Sequence, residues 1–211
     1  MAFPLERLSE EARREVMRLA RPFRLRRGEV LFYPQDPAHA VYLVEEGLVR
    51  LFLLNSKDEE ATLALVGPGG FLGEAAFSGG VYGAYAEPLV YTEGVSLSGR
   101  ELALLMNKNP EVARLFLEFS LSRLKEAERR LMELRFLPVS SRLARLLLRY
   151  FPDGEVPLSH QDLAALVGAT RETVTKLLGE WALKGILELG YRKVRVVETE
   201  ILARFVEPEG A

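Results

Sequence analysis

Arg171, Glu172, Thr175 and Lys176 recur at a spacing that gathers them on one side of a helix. Val174, Leu177, Leu178 and Trp181 take the opposite, apolar side. Such a polar face suits recognition rather than bond making. A guanidinium donates two hydrogen bonds to guanine, and a carboxylate accepts one from the cytosine amino group. Lys176 reaches a guanine or a phosphate. Upstream, Ser159 followed by Asp162 predicts a capping box that opens a helix. Leu163, Leu166 and Val167 give that helix its apolar side, Gly168-Ala169 make a turn, and Thr170 caps the next helix. The segment 158–187 therefore reads as a helix-turn-helix whose second helix enters a DNA major groove. Ser159, His160, Gln161, Thr170, Thr173 and Thr175 stand where backbone N–H groups and short polar side chains would hold phosphates. A solvated helical hairpin would also show a polar face. The coincidence of cap, turn, apolar register and Arg-Glu pair favours DNA.

Beyond it, Ile186–Leu189 and Lys193–Val197 read as a hairpin, with Arg192, Lys193 and Arg195 at its tip and second strand. Arg192 and Lys193 are expected to lie on the DNA backbone as a wing. From 158 to 197 there are six Lys/Arg and four Asp/Glu, so the surface is only mildly basic. Affinity for non-specific DNA is expected to be modest and salt-sensitive.

Other chemistries are thinly supplied. With 211 residues and no cysteine, the chain has no disulfide, thiolate nucleophile, zinc finger or cysteine-held iron–sulfur cluster. Its two histidines, His39 and His160, are too few for a multi-histidine metal site, and His39 falls in a turn at the surface. No P-loop, G-x-S-x-G or H-E-x-x-H occurs. A metal-dependent barrel enzyme, the main alternative class, lacks its ligands, so no catalytic residue and no metal are expected. The net charge is −2, which excludes a basic coat over the whole surface. The first 20 residues carry charges throughout, unlike a signal peptide. The longest uncharged run, Ala61–Gly73, has 13 residues, well short of the roughly 20 a membrane span needs. A cytoplasmic protein with no membrane partner is expected.

The elements that position the polar face follow from periodicity. Residues 5–20 suggest one short amphipathic helix. From 24 to 98, short apolar runs (Val30–Tyr33, Val41–Val44, Leu48–Leu54, Ala61–Val66, Tyr82–Ala86 and Val95–Leu97) alternate with Gly, Pro and Asp turns, predicting an antiparallel sandwich or barrel. The period then becomes helical. Between Pro110 and Pro138 lies a run without Gly or Pro, carrying the heptad seam Ala113, Leu117, Ser120, Leu124, Ala127, Leu131 and Leu134. Val112, Phe116 and Phe119 form a second stripe to pack on the barrel. One seam beyond the stripe predicts a helix that pairs with a second copy, a homodimer. Ser140–Tyr150 is a further helix, and Phe151–Pro157 a loop. The fold class is α+β, with a β-barrel sensor domain at 1–108, a dimerisation helix at 109–137 and a winged helix-turn-helix at 138–211.

This order of elements resembles the cyclic AMP receptor protein/FNR family of bacterial transcription regulators. The resemblance covers nearly the whole chain. It is carried most specifically by Thr170-Arg171-Glu172-Thr173-Val174 with Lys176, and by Phe71-Leu72-Gly73-Glu74 after the turn Gly67–Gly70. It implies a cyclic-nucleotide-binding-like β-roll, double-stranded DNA and RNA polymerase as partners, and a palindromic site with TGTGA-like half-sites. Arg171 and Glu172 match the base-reading pair. Lys176 stands where the cyclic AMP branch has an arginine, which implies a relaxed preference at that base pair. The exposed loop Asn55–Glu60 stands where family members touch polymerase, although on sequence alone a solvated turn is the favoured reading.

The family's nucleotide pocket maps onto Gly73, Glu74, Ala75, Tyr82, Gly83, Ala84, Ala127 and Glu128, and is degenerate. Tyr82-Gly83 replace the Arg-Ser pair that holds the cyclic phosphate, and Ala127-Glu128 replace the Thr-Ser that meets adenine. After Lys57 no Arg or Lys occurs up to Glu93. Losing the partner of a buried charge costs about 2–5 kcal/mol, roughly 30-fold to several thousandfold in affinity. A cation from another element, such as Arg123 on the helix of a partner copy, would reverse this. No cofactor is expected to be required. Tyr82, Tyr85 or Phe77 would fill the pocket, and Glu128 would pair with an arginine of the long helix. The alternative is a regulator switched by cyclic AMP or another small metabolite bound in the barrel.

Overall fold

The computed structural model describes residues 4–206. The expected domain bounds also take in 1–3 and 207–211, which lie outside the described residues. The chain divides into two compact units: residues 1–53 with 63–127, and residues 54–62 with 128–211. Helix α4 (Pro110–Phe136) contributes to both.

The first unit is built on two antiparallel sheets. One has strands in the order β1 (Arg21–Leu25), β7 (Thr92–Ser98), β2 (Ala40–Glu46) and β5 (Phe71–Leu72). The other has β4 (Glu60–Val66), β3 (Val49–Leu54) and β6 (Tyr85–Pro88). Alternation along β7 buries Val95 and Leu97 against Leu43 and Val41 of β2. The expected barrel texture is thus present, with three differences. Val30–Tyr33 forms no strand, only a bridge between Phe32 and Ala86. The run expected from Tyr82 pairs as a strand only from Tyr85. Strand β1 was not expected: Arg-Pro-Phe-Arg-Leu is a polar edge strand, and only its pairing with β7 makes it one.

The expected helix at 5–20 is two pieces, a 3-10 turn at Pro4–Arg7 and α1 (Glu10–Leu19). Ser9 interrupts it by capping α1, accepting a hydrogen bond from the Ala12 N–H. Leu5, Leu8, Ala12 and Val16 are buried in the core of this unit. A short α2 (Ala75–Ser78) and α3 (Gly99–Lys108), opened by the Ser98/Glu101 capping box, complete it. Val112 is buried in the same core, with Phe116 and Phe119 packed against it, as the second stripe of α4 requires.

The second unit contains α5 (Val139–Tyr150), α6 (His160–Val167) and α7 (Arg171–Leu183) over a small sheet in the order β8 (Glu155–Val156), β10 (Lys193–Val196) and β9 (Leu187–Gly190). A short α8 (Thr199–Ala203) follows. Residues 155–156 lie in the expected loop yet pair with β10, two residues too short to show a period. The fully buried Leu143, Leu147, Leu163, Leu178 and Trp181 form the core, with Trp181 against Phe205. Among the described residues no helix is long and apolar enough to cross a membrane.

Candidate nucleic-acid interface and sensor pocket

The helix-turn-helix is assembled by its caps. Ser159 and Asp162 form the reciprocal box, and the Ser159 hydroxyl also donates to the Asp162 carboxylate at 2.6 Å. The N–H of Ser159 is therefore engaged by Asp162 rather than turned outward as the phosphate reading expected. Gly168 ends α6 at φ +63°, and a Cβ there would come within 2.9 Å of Leu134 Cδ2. The left-handed backbone calls for glycine, whereas the Leu134 methyl ends a flexible, exposed side chain that can give way. Thr170 then caps α7, accepting from the Thr173 N–H at 3.3 Å.

On α7 Val174, Leu178 and Trp181 are buried and Leu177 is half-buried, while Arg171, Glu172, Thr173, Thr175 and Lys176 are exposed. The polar face therefore points to solvent as its spacing demands. Burial of His160 and the nearby Arg171 guanidinium both hold its imidazole below the ordinary histidine value. Its Nδ1 lies 3.0 Å from Thr175 Oγ1, which links the first turn of α6 to the exposed face of α7. Glu172 is held below the usual carboxylate range first by its own backbone N–H, then by Thr170 and Arg171. The contact with Thr175 brings His160, a phosphate candidate of α6, onto the exposed face of α7. Arg192 and Lys193 are exposed at the β9–β10 tip, Arg192 at φ +53°. Arg195 leaves that cluster: its guanidinium is paired with Glu155 at 3.2 Å and Glu188 at 3.9 Å.

In the first unit, Gly73 adopts φ +88°, and a Cβ there would lie 2.6 Å from Ala40 O. Tyr82 fills the space beside it. Its ring stacks on Phe32 at 3.9 Å, and its hydroxyl donates to Ala40 O at 2.8 Å and accepts from the Ala40 N–H at 3.1 Å. Burial, with Tyr82 alongside, pushes the Tyr42 phenol well up. Of the other expected fillers, Tyr85 stacks on Phe52 and Phe77 is 44% exposed. Ala75 is half-buried, Ala84 is buried and Gly83 is exposed.

The expectation of a cassette without a cation is corrected in space. Arg123 Nε of the same chain lies 3.7 Å from Glu74 Oε1, and its Nη1 donates to Phe71 O at 3.2 Å. Arg123 is the cation the sequence offered from a partner copy, and here it reaches Glu74 within its own chain. Ala127 and Glu128 are exposed on α4, and the ion pairs of the helix end form instead around Glu133, with Arg129 and Arg145. Phe71 stacks on Phe119 and meets Phe116 edge-on. A small cavity of about 40 Å³ beside them has apolar lining, including Leu8, Leu43 and Val112. His39 is exposed, and among the described residues no group of three His, Asp or Glu is placed to hold a metal.

Two family descriptions match the chain. Residues 22–109 match the cyclic nucleotide-binding domain, and residues 141–205 match the Crp-like helix-turn-helix domain. The transcriptional regulator SdrP of Thermus thermophilus is 34% identical over 194 residues, covering 87% of this chain and 93% of that protein. The cyclic AMP receptor protein of the same organism is 37% identical over 179 residues, covering 83% of each. Among solved structures, FixK2 from Bradyrhizobium japonicum superposes with a TM-score of 0.79 at 26% identity, covering 90% of this chain and 99% of that one. The two domain matches, in this order and with these relatives, make the chain a member of the cyclic AMP receptor protein/FNR family of transcriptional regulators.

Proposed function

We propose that the protein works as a homodimer that reads a palindromic, TGTGA-like DNA site and does so without requiring cyclic AMP. The observation that carries the DNA reading is the single exposed face shared by Arg171, Glu172, Thr175 and Lys176, joined to His160 of the preceding helix. Arg171, Glu172 and Lys176 read base edges. His160, Gln161, Thr170, Thr173, Thr175, Arg192 and Lys193 hold the backbone, while Ser159 acts mainly as the cap of α6.

Dimerisation is supported by the seam of α4. Leu117, Leu124 and Leu131 are 59%, 56% and 69% exposed in the single chain, while Val112 and Leu115 of the same helix are buried. A leucine row left in water at heptad spacing calls for a second helix. A two-fold dimer then matches a palindrome.

Independence from cyclic AMP is supported by Tyr82 and by Arg123. The tyrosine occupies the space beside Gly73, and the arginine is already balanced by Glu74. The second reading, a switch driven by cyclic AMP or another metabolite, is favoured by that same arginine and by the relative named for cyclic AMP. Transcriptional control through RNA polymerase in the cytoplasm, with no catalytic step, completes the reading. It rests on the relatives' being named as regulators. Selection of bound duplexes from a random pool tests it. Recovery of a two-fold symmetric consensus supports the reading, and an unsymmetric or absent consensus contradicts it.

A further inference from the structure

The carboxyl end of α6, from which the turn into α7 starts, is held by side chains from distant parts of the chain. Thr62 Oγ1 donates to Ala165 O at 3.0 Å. Arg130 Nη2 donates to Leu166 O at 2.7 Å, and its Nε donates to Thr62 O at 2.8 Å. Arg142 Nη1 donates to Val167 O at 2.5 Å. The last carbonyls of a helix lack partners within it and carry the negative end of its dipole. Two guanidiniums there satisfy both requirements. Thr62 is only 7% exposed, and residues 54–62 belong to the same compact unit as the helix-turn-helix.

Arg130 differs from Arg142 in what it joins. A guanidinium presents several donors in a rigid fork, so one side chain can bond two carbonyls at fixed separation. Here the fork spans Thr62 O and Leu166 O. Thr62 closes the loop by donating from its hydroxyl to the neighbouring Ala165 O. The tip 54–62 is itself ordered by Asn55, whose Oδ1 accepts from the N–H groups of Lys57 at 2.8 Å and Glu59 at 3.0 Å. The segment takes in the turn 55–59 and the first residues of β4, Thr62 among them.

We propose that Arg130 and Thr62 are positioning residues for DNA reading: together they latch the 54–62 tip onto the end of α6, and so set the turn from which Thr170 and Arg171 project. The proposal rests on the DNA reading for its consequence, but the latch itself can be tested without DNA.

Full-length wild type, Arg130→Met, Arg130→Lys and Thr62→Val are compared by hydrogen exchange and by titration of specific and scrambled duplexes. With the latch, Arg130→Met speeds exchange at residues 54–62 and at 168–171 together, and Thr62→Val does the same to a smaller degree. Specific-duplex affinity falls about tenfold in Arg130→Met while scrambled-duplex affinity changes little, as expected for loss of a charge-assisted hydrogen bond that orients the reader. Arg130→Lys keeps the charge but loses the fork, and behaves like Arg130→Met.

Full rescue by lysine, or faster exchange in only one of the two segments, overturns the latch. So does unchanged specific affinity, and so does an equal loss for both duplexes, which marks a merely structural role. Wild-type protein that fails to distinguish the duplexes defeats the DNA reading instead, and the exchange data still decide whether the latch exists.

Discussion

Arg123 Nε lies 3.7 Å from Glu74 Oε1, and the same guanidinium donates to the carbonyl of Phe71 at 3.2 Å. The cation missing from the segment between Lys57 and Glu93 is thus brought in by the long helix, where a carboxylate already balances it. A cyclic phosphate arriving there would compete with Glu74 for Arg123. Tyr82 occupies the space beside Gly73, the residue before Glu74. In the proposed reading the Arg123–Glu74 pair stands in for a ligand, and both the packing around it and the reading face can be probed by substitution.

Tyr82→Phe leaves the N–H and the carbonyl of Ala40 without the hydroxyl that now serves both. An unmet buried polar group costs about 1–3 kcal/mol. For a chain of this size that corresponds to a fall in melting temperature of about 2–12 °C. An unchanged melting temperature would show that Tyr82 is not a structural filler.

Leu124→Glu with Leu131→Glu places charges on the leucine row of α4, where both side chains are exposed in the single chain. Burying either leucine against a partner is worth about 1.5–3 kcal/mol, so the double variant should sediment as a monomer with the fold intact. A dimer that persists would move the interface elsewhere.

Arg171→Ala removes the exposed guanidinium at the start of α7. Specific affinity should fall by about 1–3 kcal/mol at fixed salt, with discrimination relaxed at one base pair per half-site. Equal losses on specific and scrambled duplexes would reduce Arg171 to a phosphate contact.

His160 is held neutral by burial and by Arg171, so its folded value lies below the unfolded one. The unfolded chain takes up the proton first. The associated stability is therefore present above about pH 6.5 and is lost as the pH falls below it. Urea midpoints should drop over that range in wild type and drop less in His160→Gln. A phosphate bound at the ring favours the imidazolium, so DNA affinity should rise as the pH falls, and His160→Gln should flatten that rise. Identical profiles for the two proteins would remove His160 from the interface.

The helix-turn-helix was legible because its signals are local. Ser159, Asp162, Gly168 and Thr170 cap their helices within three or four residues, and the apolar register of α7 repeats within two turns. The span of α4 and its heptad-spaced leucine row were legible for the same reason. Strand β1 was not, since Arg21–Leu25 is a strand only by virtue of β7, about 70 residues away. Arg123 was legible as a candidate cation, but not that it reaches Glu74 in its own chain; nor was the grip of Arg130 on Leu166, because no periodicity links a helix surface to a carboxylate or carbonyl in another element. The split of the first helix at Ser9 shows the opposite case. A capping serine lay in plain view, but the amphipathic spacing of Leu5, Leu8 and Val16 ran across it.

The most direct test is a titration of a labelled palindromic TGTGA-type duplex with refolded, ligand-stripped protein at fixed salt, with and without cyclic AMP. Tight binding that is the same in both samples is the expected result, with Tyr82 and the Arg123–Glu74 pair standing in for the nucleotide. Binding that appears only with cyclic AMP would contradict it, because Arg123 would then have exchanged Glu74 for the phosphate.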